Sequence, residues 1–311
     1  MNIAQPIDPL HSEAPPAPID ASPPPARAAT LVDESRRIGA ILVDLGRLSL
    51  DDAGRILAEQ QRSGQPFGDI AQRMGLVDAD DVRQALARQF AYPYLRTAQE
   101  GGISPAVLAA HQPFSPFVEA LRDLRSQLLL RWLDGSADRR CLTIASPDRA
   151  EGRSFLAANL AVLFVQIGYR TLLLDADLRH PSLHRSFGLD GRSGLTQWLA
   201  GLSDEPAIVP IAALPGLSVL PAGLPPPNPQ ELLSRPRFGE CLAQLAQRFD
   251  VVVADTSACA ESSDAMMVAS RARGALIVGR NAVSRVAGLE QLEAGLVQSG
   301  AEVIGAVFNE H

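Results

Sequence analysis

The chain lacks most of the features that mark secreted, membrane-spanning or nucleic-acid-binding proteins. It has three cysteines and five histidines among 311 residues, none in C-x-x-C or metal-ligand spacing, which argues against a disulfide framework and a zinc site. Its formal net charge of −7 provides no basic field for nucleic acid or anionic lipid. No uncharged apolar run approaches the roughly 20 residues that span a bilayer. We therefore expect a cytoplasmic protein, without a nucleic-acid partner, that reaches the membrane only through another protein.

Proline, by contrast, is abundant at one end of the chain. Residues 1–35 contain eight prolines among alanine, serine and acidic residues. Such a composition cannot bury an apolar core. We predict a disordered Pro-rich tail that serves as a spacer.

The next segment contains an internal repeat of 29 residues. The matching pairs are Gly39 and Gly68, Gly46 and Gly75, and Gln60 and Gln89. The first copy opens with apolar residues at the i, i+3, i+4, i+7 spacing of a buried helical stripe, and a second helix then begins in each copy at a side-chain cap. The caps are Ser49 with Asp52, and Asp78 with Asp81. We predict a helical repeat domain of two packed hairpins over residues 36–95.

A larger domain follows. Residues 96–112, with Gly101, Gly102 and Pro105, predict a linker. Ser115 followed by Pro116 is typical of a helix start, near the beginning of a domain at residues 113–311. Apolar strand-like runs then alternate with helical patterns, at residues 141–146, 170–175, 217–221, 251–255, 274–279 and 302–308. The alternation predicts an α/β fold with a doubly wound, mainly parallel sheet covered by helices on both faces.

A candidate phosphate-binding loop lies between the first predicted strand and the next helix, at residues 145–154. It resembles the pattern G-x-x-x-x-G-K-[ST], with Pro147 at the first glycine and Arg153 at the lysine. Such loops bind phosphate mainly through backbone N–H groups and the N-terminus of the following helix. Those donors persist here, and Ser154 offers a hydroxyl to magnesium. Taken alone, the stretch would also fit an ordinary strand-to-helix turn.

Acidic residues end two of the other apolar runs. Asp175 and Asp177 lie at the end of one run, and Asp255 ends another. Because doubly wound sheets bind ligands beyond the carboxyl ends of their strands, these carboxylates should converge beside the phosphate loop. Hard oxygen ligands there suit magnesium that bridges phosphates. One such aspartate would more often cap a helix, but three after a phosphate loop favour a site for ATP and Mg²⁺.

These motifs together resemble the bacterial tyrosine kinases of polysaccharide export, which have a P-loop fold. Residues 119–125 match their E-x-x-R-x-x-R motif, and residues 220–233 match a second signature, from Pro-Ala-Gly to Asn-Pro. The resemblance implies that Ser154, Asp175 and Asp255 bind magnesium. Asp177 would activate the attacking hydroxyl, and Arg153 would stand for the catalytic lysine.

The resemblance also implies binding residues. The ATP contacts would be Ala150, Glu151, Gly152, Arg153, Ser154 and Phe155, with Asn309 at the adenine. The contacts between subunits of a homo-oligomer would be Glu119, Arg122 and Arg125. Without the resemblance, the same spacing would indicate only i, i+3 ion pairs on a solvated helix face.

The chain departs from these kinases in three places. Arg153 replaces the lysine, Pro147 replaces the first loop glycine, and no tyrosine cluster closes the sequence, so self-phosphorylation on a tyrosine tail is not expected. The more similar sub-family is associated with exopolysaccharide chain-length determination, because it pairs the kinase domain with an N-terminal repeat domain and carries Gly-Arg-Ser in the loop. Its partner would be a transmembrane chain-length determinant, a polysaccharide co-polymerase, at the inner face of the cell membrane.

The repeat domain resembles the N-terminal domain of secretion and pilus ATPases, in some of which the paired motifs bind cyclic di-GMP. The resemblance implies a cyclic di-GMP site at Arg37, Gly39, Leu42 and Gly46. Pro66 stands where the second copy would carry an arginine, which favours a helical docking module instead.

Arginine in place of lysine keeps the positive charge but changes its position in the loop, because the arginine side chain is longer and its guanidinium is planar and forked. We expect ATP binding through backbone amides to survive and phosphotransfer to weaken. The leading hypothesis is an ATP–Mg²⁺-dependent tyrosine kinase, or weak ATPase, that regulates exopolysaccharide polymerisation or export. The alternatives are a non-catalytic regulator that responds to a nucleotide or cyclic di-GMP, and a partition-type P-loop ATPase, which residues 119–125 disfavour.

Overall fold

The computed structural model describes residues 38–89, 95, 100–133, 136 and 139–310. The chain divides into two compact units, with the boundary after Phe90. The Pro-rich tail predicted for residues 1–35 lies outside the described residues. So does Arg37, one of the four residues of the predicted cyclic di-GMP site.

The N-terminal unit is helical over its described residues. Its helices are α1 (Ile38–Asp44), α2 (Leu50–Ser63), α3 (Phe67–Arg73) and α4 (Ala79–Gln89). The caps that the sequence predicts are present. Ser49 Oγ accepts the Asp52 N–H at 3.1 Å, and Asp78 Oδ1 accepts the Asp81 N–H at 2.7 Å.

The repeated glycines of this unit have equivalent positions in the two copies. Gly46 and Gly75 follow α1 and α3 with a left-handed φ of +67°, which glycine adopts without strain. A Cβ on Gly39 would lie 2.9 Å from the Phe67 ring, and one on Gly68 would be equally close to a valine side chain. The repeat therefore reflects close helix packing around an apolar core, which contains Ile41, Leu42, Ile56, Ile70 and Ala85.

Residues 100–112, predicted to form a linker, pack as part of the C-terminal unit. They include a 3₁₀ turn at Glu100–Gly102 and the short helix α5 (Leu108–His111). Ile103 and Val107 are each 1% exposed and belong to the main core of this unit. Glycine and proline give the segment a loop-like composition, but its apolar side chains are buried. The segment therefore covers part of the α/β core instead of connecting two domains freely.

The C-terminal unit is built on a seven-stranded sheet. The strands are β1 (Cys141–Ala145), β2 (Thr171–Asp175), β3 (Val209–Pro210), β4 (Leu217–Leu220), β5 (Val251–Asp255), β6 (Gly274–Arg280) and β7 (Glu302–Asn309). Their order in the sheet is β3-β4-β2-β5-β1-β6-β7. All neighbours are parallel except β3, which is antiparallel to β4. The predicted, mainly parallel sheet is confirmed, and β3 is an addition that the sequence analysis did not predict.

Helices cover both faces of this sheet. They are α6 (Pro116–Arg131), α7 (Arg153–Val165), α8 (Leu183–Ser186), α9 (Leu195–Leu199), α10 (Pro229–Ser234), α11 (Pro236–Arg248), α12 (Asp264–Ala272) and α13 (Val286–Gln298). Val251 and Val253 of β5 enter one core, whereas Val252 and Ala254 enter another. Since successive side chains of a strand point to opposite faces, both faces are buried. This explains why the central strands are continuous apolar runs.

The topology brings the ends of β1, β2 and β5 together at the centre of the sheet. Asp175 of β2 is the register partner of Asp255 of β5, and Asp255 is also paired with Ile144 of β1. Neighbouring strands lie about 4.8 Å apart, so the two aspartates and the loop that follows β1 meet at one edge. This is the edge at which doubly wound sheets bind ligands.

Candidate functional site

The loop between β1 and α7 passes twice through left-handed backbone. Gly152, which caps α7, has a φ of +102°, and a Cβ there would lie 2.6 Å from Asn309 Nδ2. Ala150 has a φ of +60° although it is not glycine, a conformation that costs about 1–2 kcal/mol. The loop ends at the N-terminus of α7, where free N–H groups and the helix dipole can attract an anion.

Arg153 is folded into this loop. Its side chain is largely buried, with 8% exposure. Nε donates to the Thr256 carbonyl at 2.8 Å, and Nη1 donates to the Asp148 carbonyl at 2.7 Å and to the Ser146 hydroxyl. The guanidinium thus links the first residues of the loop to Thr256, the residue that follows β5. A lysine has a single nitrogen and cannot reproduce this forked arrangement.

Glu151 has a role that the sequence does not reveal. Its side chain is buried, with Oε2 accepting the Asp148 N–H at 2.8 Å and Oε1 accepting the Ser284 hydroxyl. Ser284 also accepts the Arg280 N–H at 2.6 Å. Glu151, predicted as a nucleotide contact, therefore uses its carboxylate to hold the loop against the end of β6. Nothing in the local sequence pattern indicates this contact between residues 133 positions apart.

The carboxylates of Asp175 and Asp255 are fully buried at the adjacent strand ends. Asp175 Oδ2 accepts the N–H groups of Ser182 and Leu183, each at 3.1 Å. Asp175 Oδ1 has no hydrogen-bond partner among the described residues, and the two oxygens of Asp255 have no well-formed hydrogen bond, with only the Ser154 hydroxyl and the Thr256 N–H nearby as donors. Buried carboxylate oxygens without partners are costly. A positively charged ligand would therefore stabilise these three oxygens.

The pKa values of both carboxyls reflect this environment. Desolvation raises the pKa of Asp255 to about 7, with Asp177 adding to the increase while nearby Ser154 and Arg153 oppose it. Desolvation and the charge of Asp255 raise the pKa of Asp175 well above its usual value, against the N–H donors of Leu183 and Ser182. Two interacting carboxylates that resist ionisation together are suited to a bound cation.

The donor set fits magnesium. Oxygen ligands from one or two carboxylates, completed by phosphates and water, are typical of magnesium at nucleotide sites. Asp175 and Asp255 supply the carboxylates, and Ser154 lies next to them as a hydroxyl. No cluster of three or more histidine, cysteine, aspartate or glutamate ligands occurs within the described ranges. This arrangement suits an ion that shares its coordination with a nucleotide.

Asp177 and Arg179 lie on the segment after β2. Asp177 Oδ1 accepts the N–H groups of Arg179 and His180, at 3.2 and 2.9 Å, and no partner of its Oδ2 occurs in the described part of the chain. Arg179 forms a forked ion pair with Asp264, at 2.7 and 3.2 Å. Asp264 is fully buried at the start of α12. Arg179 therefore anchors the segment that carries Asp177, and the sequence gives no sign of its distant partner.

A cleft of about 510 Å³ opens beside the loop. Six of the predicted nucleotide contacts line it: Ala150, Gly152, Arg153, Ser154, Phe155 and Asn309. Leu108 and Phe117 complete its wall and were not predicted, because they come from the segment interpreted as a linker and from α6. The Phe117 and Phe155 rings are 5.6 Å apart between centroids. An apolar wall next to a phosphate loop suits the flat base of a nucleotide.

The predicted subunit-contact motif lies on α6. Arg122 pairs with Glu119 and also donates to the Pro113 carbonyl, while Arg125 donates to the Leu163 carbonyl at 3.0 Å. The carboxylate side chain of Glu119 is 65% exposed. Both arginines therefore have contacts within the protomer, and Glu119 is the member that projects into solvent.

The N-terminal unit has its own cleft, of about 800 Å³, lined by Gly39, Leu50, Leu57 and Gln60 among others. Of the predicted cyclic di-GMP residues that the structure describes, only Gly39 lines it. Leu42 is fully buried in the helical core. Gly46 provides the left-handed turn after α1, so these two residues have structural roles.

No family model matches the chain. The tyrosine-protein kinase ptk of Acinetobacter johnsonii is 33% identical to it over 204 residues, which are 66% of this chain and 28% of that protein. CapB of Staphylococcus aureus, named as a tyrosine-protein kinase, is 30% identical over 199 residues, which are 64% of this chain and 86% of CapB. The chain belongs to the bacterial tyrosine kinase family.

Solved structures of bacterial tyrosine kinases agree with this membership. The kinase domain of Escherichia coli tyrosine kinase ETK is similar with a TM-score of 0.63 at 30% identity, covering 69% of this chain and 82% of that domain. The matched region covers only 27–31% of the length of each of the first three curated relatives, which are therefore much longer proteins than this chain. Among the described residues, no helix is both long and apolar enough to cross a membrane.

Proposed function

We propose that this chain binds ATP with Mg²⁺ and acts as a protein-tyrosine kinase, in which Arg153 slows phosphotransfer. The observation that carries the proposal is the pair of buried carboxylates of Asp175 and Asp255 beside the phosphate loop, three of whose oxygens lack a well-formed hydrogen bond. An ATP–magnesium complex would satisfy these oxygens. The loop amides and the α7 N-terminus would receive the phosphates, and the cleft beside Phe117 would receive the base.

Individual residues then have distinct tasks. Magnesium bound by Asp175, Asp255 and Ser154 would neutralise charge on the transferred phosphoryl group. Asp177 holds one oxygen on backbone N–H groups and keeps the other for the proton of the attacking hydroxyl. Arg153 holds its charge against the Thr256 and Asp148 carbonyls, so it meets a phosphate only by giving up these hydrogen bonds.

The proposal is tested by nucleotide binding and phosphate release of the purified chain, of Arg153→Lys and of Asp175→Ala. We expect the unchanged chain to bind Mg·ATP, Arg153→Lys to release phosphate at least about tenfold faster, which corresponds to about 1.4 kcal/mol in the barrier, and Asp175→Ala to lose magnesium-dependent binding. Absence of ATP binding by all three proteins would refute the proposal.

We further propose that the phosphorylated tyrosine belongs to another protein. The chain has three tyrosines, and the ring of Tyr169 packs 6.3 Å from that of Phe164. The proposed setting is exopolysaccharide chain-length control and export, beside a transmembrane chain-length determinant at the inner membrane face. In that setting the chain forms a homo-oligomer with Glu119 at the subunit contact. Co-purification with such a determinant, and loss of the homo-oligomer on Glu119→Arg, would support this arrangement.

A second proposal concerns the N-terminal unit, whose cleft offers Gly39 and Gln60 in a space of about 800 Å³. Cyclic di-GMP is the candidate ligand, and the alternative is a docking module without a nucleotide. Calorimetry with cyclic di-GMP separates the two. Binding that is lost in Arg37→Ala supports the nucleotide, and no heat of binding at millimolar ligand supports docking alone.

A further inference from the structure

Another cleft, of about 560 Å³, lies on the C-terminal unit next to the segment that follows β2. Its wall contains Arg149 from the phosphate loop and His180 from the segment after β2. The His180 N–H is one of the two donors to Asp177. Through His180, the cleft therefore borders the segment that carries Asp177, the residue that would accept the proton of the attacking hydroxyl.

The lining of this cleft is basic, although the chain as a whole is acidic. Arginine side chains come from three separate places: Arg149, Arg185 on α8, and Arg192 in the next loop. Two carboxylates face them. Glu261 pairs with Arg149 at 3.3 Å, and Asp190 lies 3.9 Å from Arg192.

Arg185 is the third arginine of the cleft, and neither of these two carboxylates pairs with it. It is exposed and makes no ion pair within the described residues. The pairs around it are solvent-exposed, with Arg192 85% and Arg149 59% exposed at the side chain, so an incoming carboxylate can compete for both arginines. His180 and His184 line the same wall, and His180 Nδ1 lies 3.3 Å from Glu261, the partner of Arg149.

The cleft also has an apolar side. Leu224 is 57% exposed there, between Gly223 and Pro225, and Pro181 lies in the lining. A tyrosine ring requires an apolar surface that leaves its hydroxyl directed at a proton acceptor. Arginines beside such a surface, with one of them unpaired, are complementary to carboxylates that flank the tyrosine.

We propose that this cleft is the acceptor-peptide site and that it selects tyrosines flanked by acidic residues in a partner protein. The proposal rests on the kinase function proposed above and specifies its substrate class. The tyrosine ring lies against Leu224 and Pro225, and acidic side chains on either side of it pair with Arg185 and Arg192.

The test uses fluorescence anisotropy of two labelled tyrosine peptides on the full chain with Mg·ADP. One peptide has glutamates around the tyrosine and the other has glutamines. We expect the acidic peptide to bind about fivefold or more tightly, with a preference that shrinks at high salt. Arg185→Gln and Arg192→Gln should each weaken it about two- to fivefold, and the double variant should bind both peptides alike.

Arg248→Gln is the matched control, because Arg248 is an exposed arginine of α11 outside the cleft. It removes the same charge and should preserve the preference, as should Arg185→Lys. Equal binding of the two peptides, or a preference that survives in the double variant, would overturn the inference. ATP binding is measured on the same proteins, so that failure of the nucleotide site is distinguished from failure of peptide selection.

Discussion

Replacing Asp255 with asparagine is expected to stabilise the nucleotide-free protein at pH 8 while it abolishes magnesium-dependent nucleotide binding. Asp255 is fully buried, and desolvation is the main cause that raises its pKa from 3.8 to about 7. A carboxyl with a higher pKa in the folded state binds more protons when folded. The contribution of Asp255 to the free energy of unfolding is therefore most favourable below about pH 4 and is lost as the pH rises to about 7. At pH 8 the ionised Asp255 opposes folding.

The size of this effect follows from the same two pKa values. The difference between 3.8 and about 7 corresponds to about 4 kcal/mol of folding free energy at pH 8. Asparagine places a buried amide without partners in the same position, which costs about 1–3 kcal/mol. The net gain is about 1–3 kcal/mol. For a unit of this size, that corresponds to a rise of about 2–10 °C in Tm.

Thermal unfolding at pH 8 and pH 5, without nucleotide, measures the effect. The gain should shrink at pH 5, because Asp255 is then protonated in the folded protein. Asp250→Asn is the control with the opposite sign. The pKa of Asp250 is lowered by its hydrogen bond with Arg170, so that variant should lose up to about 1 kcal/mol at pH 8. If Asp255→Asn melts no higher than the unchanged chain at pH 8, or gains equally at pH 5, the reasoning is refuted.

Three further predictions concern the loop. Ala150→Gly should raise the free energy of unfolding by about 1 kcal/mol, because glycine adopts the φ of +60° without strain; denaturant unfolding that shows no gain would contradict this. Gly152→Ala should lose nucleotide binding, because its Cβ would lie 2.6 Å from Asn309 Nδ2, and Asn309→Ala in the same chain should restore part of it in calorimetry. Arg153→Lys should lower stability by about 1–3 kcal/mol in chemical unfolding, because it loses hydrogen bonds to Thr256 and the loop; unchanged stability would mean that Arg153 does not hold the loop.

The strands and the position of the site could be predicted from the sequence because both depend on short-range patterns. Runs such as residues 251–255 are buried on both faces and are therefore apolar without interruption. Parallel strands place their carboxyl ends at one edge, so the sequence alone predicts that Asp175, Asp177 and Asp255 converge beside the phosphate loop. The pairing of Asp175 with Asp255 in register across β2 and β5 agrees with this expectation.

The features that the sequence did not reveal depend on contacts between distant segments. Residues 100–112 have the composition of a loop, and only the core shows that Ile103 and Val107 are buried. The bond between Glu151 and Ser284 spans 133 positions, and the pair of Arg179 with Asp264 spans 85. No local spacing encodes such partners. Strand β3 has two residues, too few to produce an alternating pattern.

Arg153 and magnesium would act on the same carboxylate, and under the proposed function this shared target would let the loop bind a nucleotide and yet transfer phosphate slowly. Arg153 opposes the increase in the pKa of Asp255, so it supplies part of the positive charge that stabilises this carboxylate. Its hydrogen bonds to Thr256 and Asp148 fix that charge beneath the loop. Asp255 would then still be able to hold magnesium, which would supply the neutralising charge, so nucleotide binding is expected to survive. In the proposed reaction, transfer requires a positive charge next to the negatively charged phosphoryl oxygens. A guanidinium that is hydrogen-bonded to two carbonyls would supply that charge only by giving up these bonds.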